Sequence, residues 1–176
     1  MLTDKLLIIM NRKSTTCIAL FLGLVLCACS CRMISLEAFT HPYNLNQVPT
    51  YKSPNKFYSY LQADTEGGWI VEIQKQREGF FYVKLPSECE LPKKNIWLKA
   101  GDLGVVIQNY DSIEIPVYLS ADTSSVAVSH ISHSVIGKIY SIKKDLVLLS
   151  CSYNDAEVKG WVQKKYLCGN PYTPCN

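Results

Sequence analysis

Short runs of alternating hydrophobic and polar residues follow one another along most of the chain, and none of them has a convincing helical period. In WIVEIQ, which begins at Trp69, every second residue would face the same side of an extended strand. Similar runs follow it: FFYVKL, IWLK, LGVVIQ, IGKIYSI and LVLLSCSY, separated by polar segments such as QREG, NYDS and KKD. Runs of this period between Gly, Pro, Asn and Asp indicate strands and hairpins. The sequence therefore predicts an all-β chain of many short strands.

Two landmarks of the pattern occur twice. VPTYKSPN resembles IPVYLSAD, and their tyrosines, Tyr51 and Tyr118, lie 67 positions apart. NIWLKAGDL resembles KGWVQKKYL, with Trp97 and Trp161 separated by 64 positions. The same order and nearly equal offsets predict two copies of one unit of about 60 residues, a size at which a domain folds only marginally.

The order of these motifs resembles the bacterial SH3-like domain. In the second copy, residues 111–176, the family order is followed by VYLSADTSS, IGKIYSIKKDLVLLS and KGWVQKKYL, and the ending LCGNPYTPCN is similar to endings of some such domains. The first copy, residues 48–110, is degenerate, because Asn95 and Ile96 stand where Gly160 precedes the tryptophan, and PSECELPKK is inserted. The resemblance implies two small SH3-like β-barrels in tandem, but it does not state an activity.

Residues 1–28 have the layout of a secretory signal peptide. Arg12 and Lys13 precede an apolar run from Cys17 to Ala28, which small residues and cysteines follow. A transmembrane helix is the alternative, but serine and threonine dilute the run, and its strongly apolar part is shorter than the ~20 residues that span a bilayer. Met10 stands directly before the basic residues and is an alternative start.

The signal ends in LCAC, and this segment resembles the lipobox of bacterial lipoproteins. The resemblance implies acylation of Cys29, which becomes the new N-terminus and anchors the chain to a membrane through several acyl chains. Cys31 and Cys27 are weaker candidates, because the residues before them fit the motif less well. Residues 29–47 are then a lipidated N-terminus and tether. No acidic cluster follows Cys29, which favours a periplasm-facing anchor in the cell envelope.

Export changes how the remaining cysteines are interpreted, because an oxidising compartment favours disulfides. Cys168 and Cys175 are the predicted pair, since GNPYTP between them is turn-forming and lets the chain double back. Closing so short a loop stabilises a fold by about 2–3 kcal/mol in the chain-entropy estimate. Cys89 and Cys151 are either a second pair or two buried thiols. With Cys31 the mature chain has an odd number of cysteines, so at least one stays unpaired.

Composition and charge exclude some classes of protein. With 48% hydrophobic and 19% charged residues, the chain is too apolar for a disordered protein. The formal net charge is +3, and Lys5, Arg12 and Lys13 near the N-terminus supply much of it. The remainder is nearly neutral and has no basic stripe of the kind that binds nucleic acid. We therefore expect no nucleic-acid partner.

Candidate catalytic and metal-binding residues are few. His130 and His133 in SHISHS would point to opposite faces of an extended segment, and no acidic or thiol partner is near them in sequence. A cysteine peptidase needs a catalytic Cys and a downstream His on a fold of its own, whereas Cys89 and both histidines lie inside the SH3-like repeats. No Gly-x-Ser-x-Gly elbow or phosphate-binding glycine loop occurs. The sequence predicts no enzyme, no metal and no cofactor.

Binding is therefore the predicted function. A tandem of SH3-like units tethered in the envelope is expected to hold peptidoglycan stem peptides or an envelope protein in aromatic-lined grooves. The candidate binding residues are Tyr118, Tyr140, Tyr153, Trp161, Tyr166 and Tyr172. For Trp161, packing of the barrel is favoured over binding, because large aromatic residues mostly fill cores. Two other functions stay open: an inhibitor or immunity-type protein that blocks a secreted or envelope enzyme, and a structural component that spaces other proteins.

Overall fold

The structure is a computed structural model that describes residues 34–40, 47–62, 68–109, 111–173 and 175. Residues Met33–Asn176 form a compact unit. The predicted signal peptide, its alternative start at Met10, and the candidate lipidation site Cys29 lie outside the described residues. Within the described ranges, no helix is long and apolar enough to cross a bilayer.

The described residues form thirteen β-strands, one 3₁₀ helix and no α-helix, which confirms the all-β prediction. The strands are β1 (Leu36–Thr40), β2 (Gln47–Ser53), β3 (Lys56–Gln62), β4 (Ile70–Arg77), β5 (Phe80–Lys84), β6 (Asn95–Lys99), β7 (Leu103–Ile107), β8 (Ile115–Tyr118), β9 (Ala127–Ile131), β10 (Val135–Lys143), β11 (Leu146–Tyr153), β12 (Ala156–Gln163) and β13 (Leu167–Cys168). The 3₁₀ helix spans Lys164–Tyr166. Its position directly after β12 lets the chain turn before the short last strand.

The strands form one antiparallel sheet in the order β3-β2-β6-β5-β4-β1-β7-β10-β11-β12-β8-β9, and β13 also pairs with β7. Among the described residues, no strand pair joins the two ends of this path, so the sheet is open. The expectation of two closed barrels is corrected accordingly. The physical reason is the pairing of β1 with β7, in which Phe39 lies opposite Gly104 and Thr40 opposite Leu103. Each half uses that edge to bond to the other half.

The two halves of the sheet repeat one topology. Outward from the central pair, the first half runs β1-β4-β5-β6-β2-β3 and the second runs β7-β10-β11-β12-β8-β9. Tyr51 in β2 lies opposite Trp97 in β6, and Tyr118 in β8 lies opposite Trp161 in β12. The tyrosine and tryptophan landmarks of the sequence are thus cross-strand neighbours at equivalent places in both halves.

Strands β1 and β7 are the parts of this repeat that carry no sequence landmark. β1 occupies residues that the sequence assigned to the tether, and β7 occupies the end of the predicted first copy although it pairs with β10 of the second half. β7 has neighbours on both edges. One edge bonds β10, and the other bonds β1 near Gly104 and β13 near Val106.

One hydrophobic core extends through both halves. Side chains from β1 and β7, such as Ala38 and Val105, lie in it with the inward residues of the flanking strands. Cys89 and Cys151 are both free thiols buried in this core. Of the two alternatives, a second disulfide or two buried thiols, the structure therefore shows the buried thiols. Burial raises the pKa of the Cys151 thiol, which keeps it protonated and unreactive.

The predicted disulfide between Cys168 and Cys175 is confirmed, with the two Cα atoms 5.6 Å apart. It closes the last loop after β13 has paired with β7, where Cys168 lies opposite Val106. Gly169 at the start of this loop packs against β1, because a Cβ there would lie 2.4 Å from the carbonyl oxygen of Glu37. The C-terminal segment therefore crosses the place where the two halves join.

Gly160 lies where strand β8 packs closely against β12. A Cβ at this position would lie 2.6 Å from Val117 Cγ1 and 2.7 Å from the backbone oxygen of Tyr118. The β8–β9 hairpin can therefore lie over β12 only because residue 160 has no side chain.

We expect Gly160→Ala to lower the free energy of unfolding by about 1–3 kcal/mol, because the new methyl group overpacks against backbone that cannot move aside. Gly137→Ala is the matched control. Its Cβ would meet the end of the flexible Leu149 side chain at 3.2 Å, so a smaller loss is expected. Chemical denaturation of the two variants measures the difference, and equal stabilities would contradict this account of the hairpin crossing.

Candidate functional site

The face of the sheet opposite the core carries Tyr118 and Trp161. Trp161 lies between Leu148 on β11 and Tyr118 on β8, and residues directly opposite each other in antiparallel strands share a face. Its neighbour Val162 is fully buried in the core, whereas Trp161 is half-buried. Tyr118 and Trp161 therefore stand side by side on the outer surface, which is the placement a binding role requires.

Tyr140 lies at the edge of a cleft on the same half of the sheet. A β-bulge between Ile139 and Ser141 displaces Tyr140 from the regular register of β10. Lys159 Nζ lies 4.5 Å from the centroid of the tyrosine ring, and the Ser150 hydroxyl donates a 3.4 Å hydrogen bond to the tyrosine hydroxyl. These contacts hold the ring in a fixed position.

The cleft beside Tyr140 has a volume of about 350 Å³. Its lining residues are Lys138, Tyr140, Ser150, Cys151, Ser152 and Glu157. Lys138 lies opposite Ser150 on β11, and Ser150 lies opposite Lys159 on β12, so cationic groups flank the cleft from two strands. Glu157 adds a carboxylate beside them. The cleft thus combines positive charge, negative charge, hydroxyl groups and one aromatic face.

Tyr153 has a different position from the other candidate tyrosines. It is buried, and its hydroxyl accepts a 3.0 Å hydrogen bond from the Ser132 backbone N–H and lies 2.8 Å from the Ser132 hydroxyl. His133 stacks on its ring at a centroid distance of 4.7 Å. Tyr153 therefore fastens the β9–β10 connection to β11. In the described part of the chain, no three His, Cys, Asp or Glu residues are grouped so as to hold a metal ion.

Tyr166 and Tyr172 lie near the C-terminus. Tyr166 lines a cavity of about 430 Å³ together with Gln108, Lys164, Lys165 and Cys175, among others. Gln108 Oε1 accepts a 3.3 Å hydrogen bond from the Cys175 backbone N–H, so the disulfide-bonded Cys175 is held at this cavity. Tyr172 stands on that loop with 58% of its surface exposed. This cavity shares no lining residue with the cleft beside Tyr140.

Asp102, in the connection between β6 and β7, is the most unusual carboxylate of the described residues. Its Oδ2 atom is buried and has no hydrogen-bond partner among them. Desolvation raises the pKa of Asp102, while the charges of Lys99 and Lys138 act in the opposite direction. The preceding Gly101 packs against Tyr140, with a Cβ position 3.4 Å from the ring. Burial of the charged Asp102 carboxylate next to the cleft thus costs free energy of folding.

The larger aromatic surface lies in the first half, where the sequence suggested no binding residue. Tyr82 and Trp97 lie opposite each other on β5 and β6 with ring centroids 5.2 Å apart, and Lys75 Nζ lies 5.8 Å from the centroid of the Tyr82 ring. Trp97 lies opposite Tyr51. Tyr51 in turn contacts Phe80 at a centroid distance of 5.0 Å. The rings form a continuous row on the outer face.

The repeat itself was the signal that would have found this surface. Tyr51 and Trp97 are the counterparts of Tyr118 and Trp161, so candidates in one half imply candidates in the other. The first copy resembles the SH3-like pattern less closely, because no glycine directly precedes Trp97. Tyr60, an exposed residue of β3, is not predicted by alternation, because a bulge in the β2–β3 pairing changes which side chains share a face.

Comparison with known proteins finds little that is similar. The chain matches no protein-family model and no curated protein. Two solved structures from Trichomonas vaginalis resemble it distantly: NlpC2, with 15% identity and a TM-score of 0.30, and NlpC1, with 18% identity and a TM-score of 0.31. The matches cover 76% and 80% of this chain but only 48% of each of those chains. At such TM-scores the likeness carries no argument about function.

We expect Asp102→Asn to change how stability depends on pH. Because the pKa of Asp102 is raised on folding, the folded state binds its proton more tightly, and the wild-type chain loses stability as the pH rises through and above the ordinary value of 3.8. Asparagine removes the charge, so the variant should be more stable than the wild type at neutral pH and should lack this decline. Denaturation midpoints of the wild type and of Asp102→Asn, measured from acid to neutral pH, test this expectation. Parallel pH profiles of the two proteins would contradict the desolvation of Asp102.

Proposed function

We propose that this chain is a non-catalytic, lipid-anchored protein of the cell envelope that binds peptidoglycan stem peptides. In this proposal each half of the sheet is an SH3-like unit, opened where β1 and β7 pair. The observation that carries the binding function is the cleft beside Tyr140, where an aromatic ring, lysines and a glutamate from three adjacent strands converge.

The charges of the cleft suit a short peptide that carries both signs of charge. Stem peptides present carboxylates together with an amine, and Lys159 and Glu157 lie on β12 two residues apart, so both point to the outer face. Ser150 and Ser152 on β11 add hydroxyl groups to the lining of the cleft. Since Lys159 already rests on the Tyr140 ring, little ordering of these side chains is needed on binding, which favours affinity.

Location in the envelope is part of the same proposal. The signal peptide of residues 1–28 would direct export, and acylation of Cys29 would hold the chain at a membrane facing the periplasm. The disulfide between Cys168 and Cys175 is compatible with such an oxidising compartment, because disulfides persist there.

A protein ligand is the second candidate, and Tyr172 favours it. A tyrosine with 58% of its surface exposed, on a loop pinned by a disulfide, supplies contact area at a low entropic cost. Such a loop suits an inhibitor or immunity-type protein that blocks a secreted or envelope enzyme, or a contact with another envelope protein.

Co-sedimentation of the fragment Arg32–Asn176 with purified peptidoglycan sacculi tests the proposal. We expect saturable pelleting, and we expect Lys159→Gln to weaken it by about tenfold, the effect of losing one charge-assisted hydrogen bond. Lys93→Gln is the control, since Lys93 is exposed in the β5–β6 connection and should leave pelleting unchanged. Muropeptides incubated with the fragment should stay intact.

Reduction of the disulfide identifies which cavity is used. Binding at the Tyr140 cleft should survive reduction, because the cleft contains no part of the C-terminal loop. Loss of pelleting on reduction would move the site to the cavity lined by Tyr166 and Cys175. No pelleting by a folded fragment would overturn wall binding and leave a protein partner as the better proposal.

A further inference from the structure

The hairpin of β2 and β3, at one end of the sheet, exposes two large aromatic rings. Phe57 is 51% exposed and Tyr60 is 52% exposed, and their centroids lie 5.1 Å apart. They share a face because the β2–β3 register pairs Phe57 with Tyr51 and Tyr60 with Pro49, while the bulge between these pairs accommodates one extra residue. Exposed neighbouring rings of this size indicate a surface that meets a partner.

The two rings rest on a rigid support. Phe57 meets the Tyr51 ring edge-on at a centroid distance of 6.2 Å, and Tyr51 packs on Phe80. Phe80 is only 5% exposed although it lies outside the hydrophobic core cluster, so these outer rings bury it. Since Tyr51 and Phe80 already fill the space beneath them, Phe57 and Tyr60 are held at the surface.

The charge of this hairpin has one sign. Between Gln47 and Gln62 the charged residues are Lys52 and Lys56, and the stretch contains no Asp or Glu. Both lysines are exposed and flank the turn that leads to Phe57. The Lys52 ammonium lies 5.1 Å from the centroid of the Tyr58 ring. The exposed rings and the lysines therefore belong to the same hairpin.

The corresponding hairpin of the second half, β8–β9, lacks this combination. Its exposed large side chains are the aliphatic Leu119, Val126 and Val128, and it has no lysine. Its acidic residue Asp122 accepts hydrogen bonds from the Ser124 backbone N–H at 3.0 Å and from the Ser124 hydroxyl at 2.8 Å. These bonds lower the pKa of Asp122 and keep it negative. The charged residues of the two hairpins themselves thus differ in sign, and Lys143 and Lys144 of the neighbouring β10–β11 turn lie near Asp122.

We propose that the β2–β3 hairpin docks on an anionic lipid bilayer. Phe57 and Tyr60 enter the boundary between headgroups and acyl chains, where aromatic side chains are favoured. Lys52 and Lys56 contact the lipid phosphates, because an anionic surface attracts nearby lysines. Neutral sugars and uncharged peptides would gain nothing from these lysines, whereas an anionic bilayer complements both the charges and the rings.

The position of the hairpin in the chain agrees with a membrane partner. Cys29 lies seven residues before Leu36, the first residue of β1, and a fully extended segment of that length reaches about 24 Å. If Cys29 is acylated, Leu36 stays within that reach of the bilayer, and the β2–β3 hairpin follows β1 directly in the chain. This step alone rests on the anchor of the proposed function, and the experiment below is done without the anchor.

The fragment Arg32–Asn176, which contains the compact unit Met33–Asn176, is mixed with vesicles of phosphatidylcholine and phosphatidylglycerol and pelleted. We expect binding to these vesicles, little binding to phosphatidylcholine alone, and weaker binding as salt is raised. Lys52→Gln and Lys56→Gln should each weaken partitioning by about fivefold. The double variant Phe57→Ala/Tyr60→Ala should weaken it by about tenfold or more.

A matched control comes from the other hairpin. Leu119→Ala/Val126→Ala removes a comparable exposed apolar area from β8–β9 and should leave vesicle binding unchanged, as should Lys159→Gln in the Tyr140 cleft. Equal losses in both hairpins would overturn the proposal, and so would vesicle binding that ignores Phe57 and Tyr60. Loss of sacculus pelleting in the Phe57→Ala/Tyr60→Ala variant, without vesicle binding by the wild type, would assign the hairpin to the wall ligand instead. Failure of wall binding alone leaves the vesicle result standing.

Discussion

Strand β7 is the element on which the rest of the fold depends. Its residues LGVVI bond β10 along one edge, while β1 and β13 share the other edge. Leu103, Val105 and Ile107 are fully buried, so the same five residues join the two halves by hydrogen bonds and connect their cores. Because β1 and β7 satisfy each other, neither half closes on itself.

The same central pairing explains the placement of the cysteines. β13 fills the part of the β7 edge that β1 leaves unoccupied, and the Cys168–Cys175 disulfide then fastens the loop that follows it. Cys89 and Cys151 lie in the core instead. The disulfide therefore stabilises the end of the chain at the join between the halves, where a short two-residue strand would otherwise fray.

Two halves of equal topology present different chemistry on their outer faces. The cross-strand pairs of Tyr51 with Trp97 and Tyr118 with Trp161 are common to both. Both halves have a bulge at the equivalent place, between Ile73 and Lys75 in the first and between Ile139 and Ser141 in the second. The first half carries rings and lysines in an open row, whereas in the second half Tyr140 stands at the bulge beside a cleft of mixed charge. The two halves thus share one scaffold, and they differ in the residues of the solvent face, where the core imposes no constraint.

Local patterns in the sequence predict the strands and the disulfide. Alternation at WIVEIQ and LVLLSCSY specified the strands, and the turn chemistry of GNPYTP specified the disulfide, because both depend on local backbone geometry. The repeated Tyr and Trp landmarks fixed which segments correspond. The sequence predicts Tyr140 as a binding residue. It does not predict the cleft beside Tyr140, because that cleft is assembled from three strands.

Some features of the fold depend on pairing between distant segments, and only the tertiary structure decided them. The open sheet, the burial of Tyr153 behind Ser132, and the exposure of Phe57 and Tyr60 all follow from register and bulges. A bulge moves every later side chain to the opposite face, and alternation in a sequence does not reveal where a bulge occurs. Strand propensity is local, whereas the choice between closing a barrel and pairing β1 with β7 is set by contacts more than sixty residues apart.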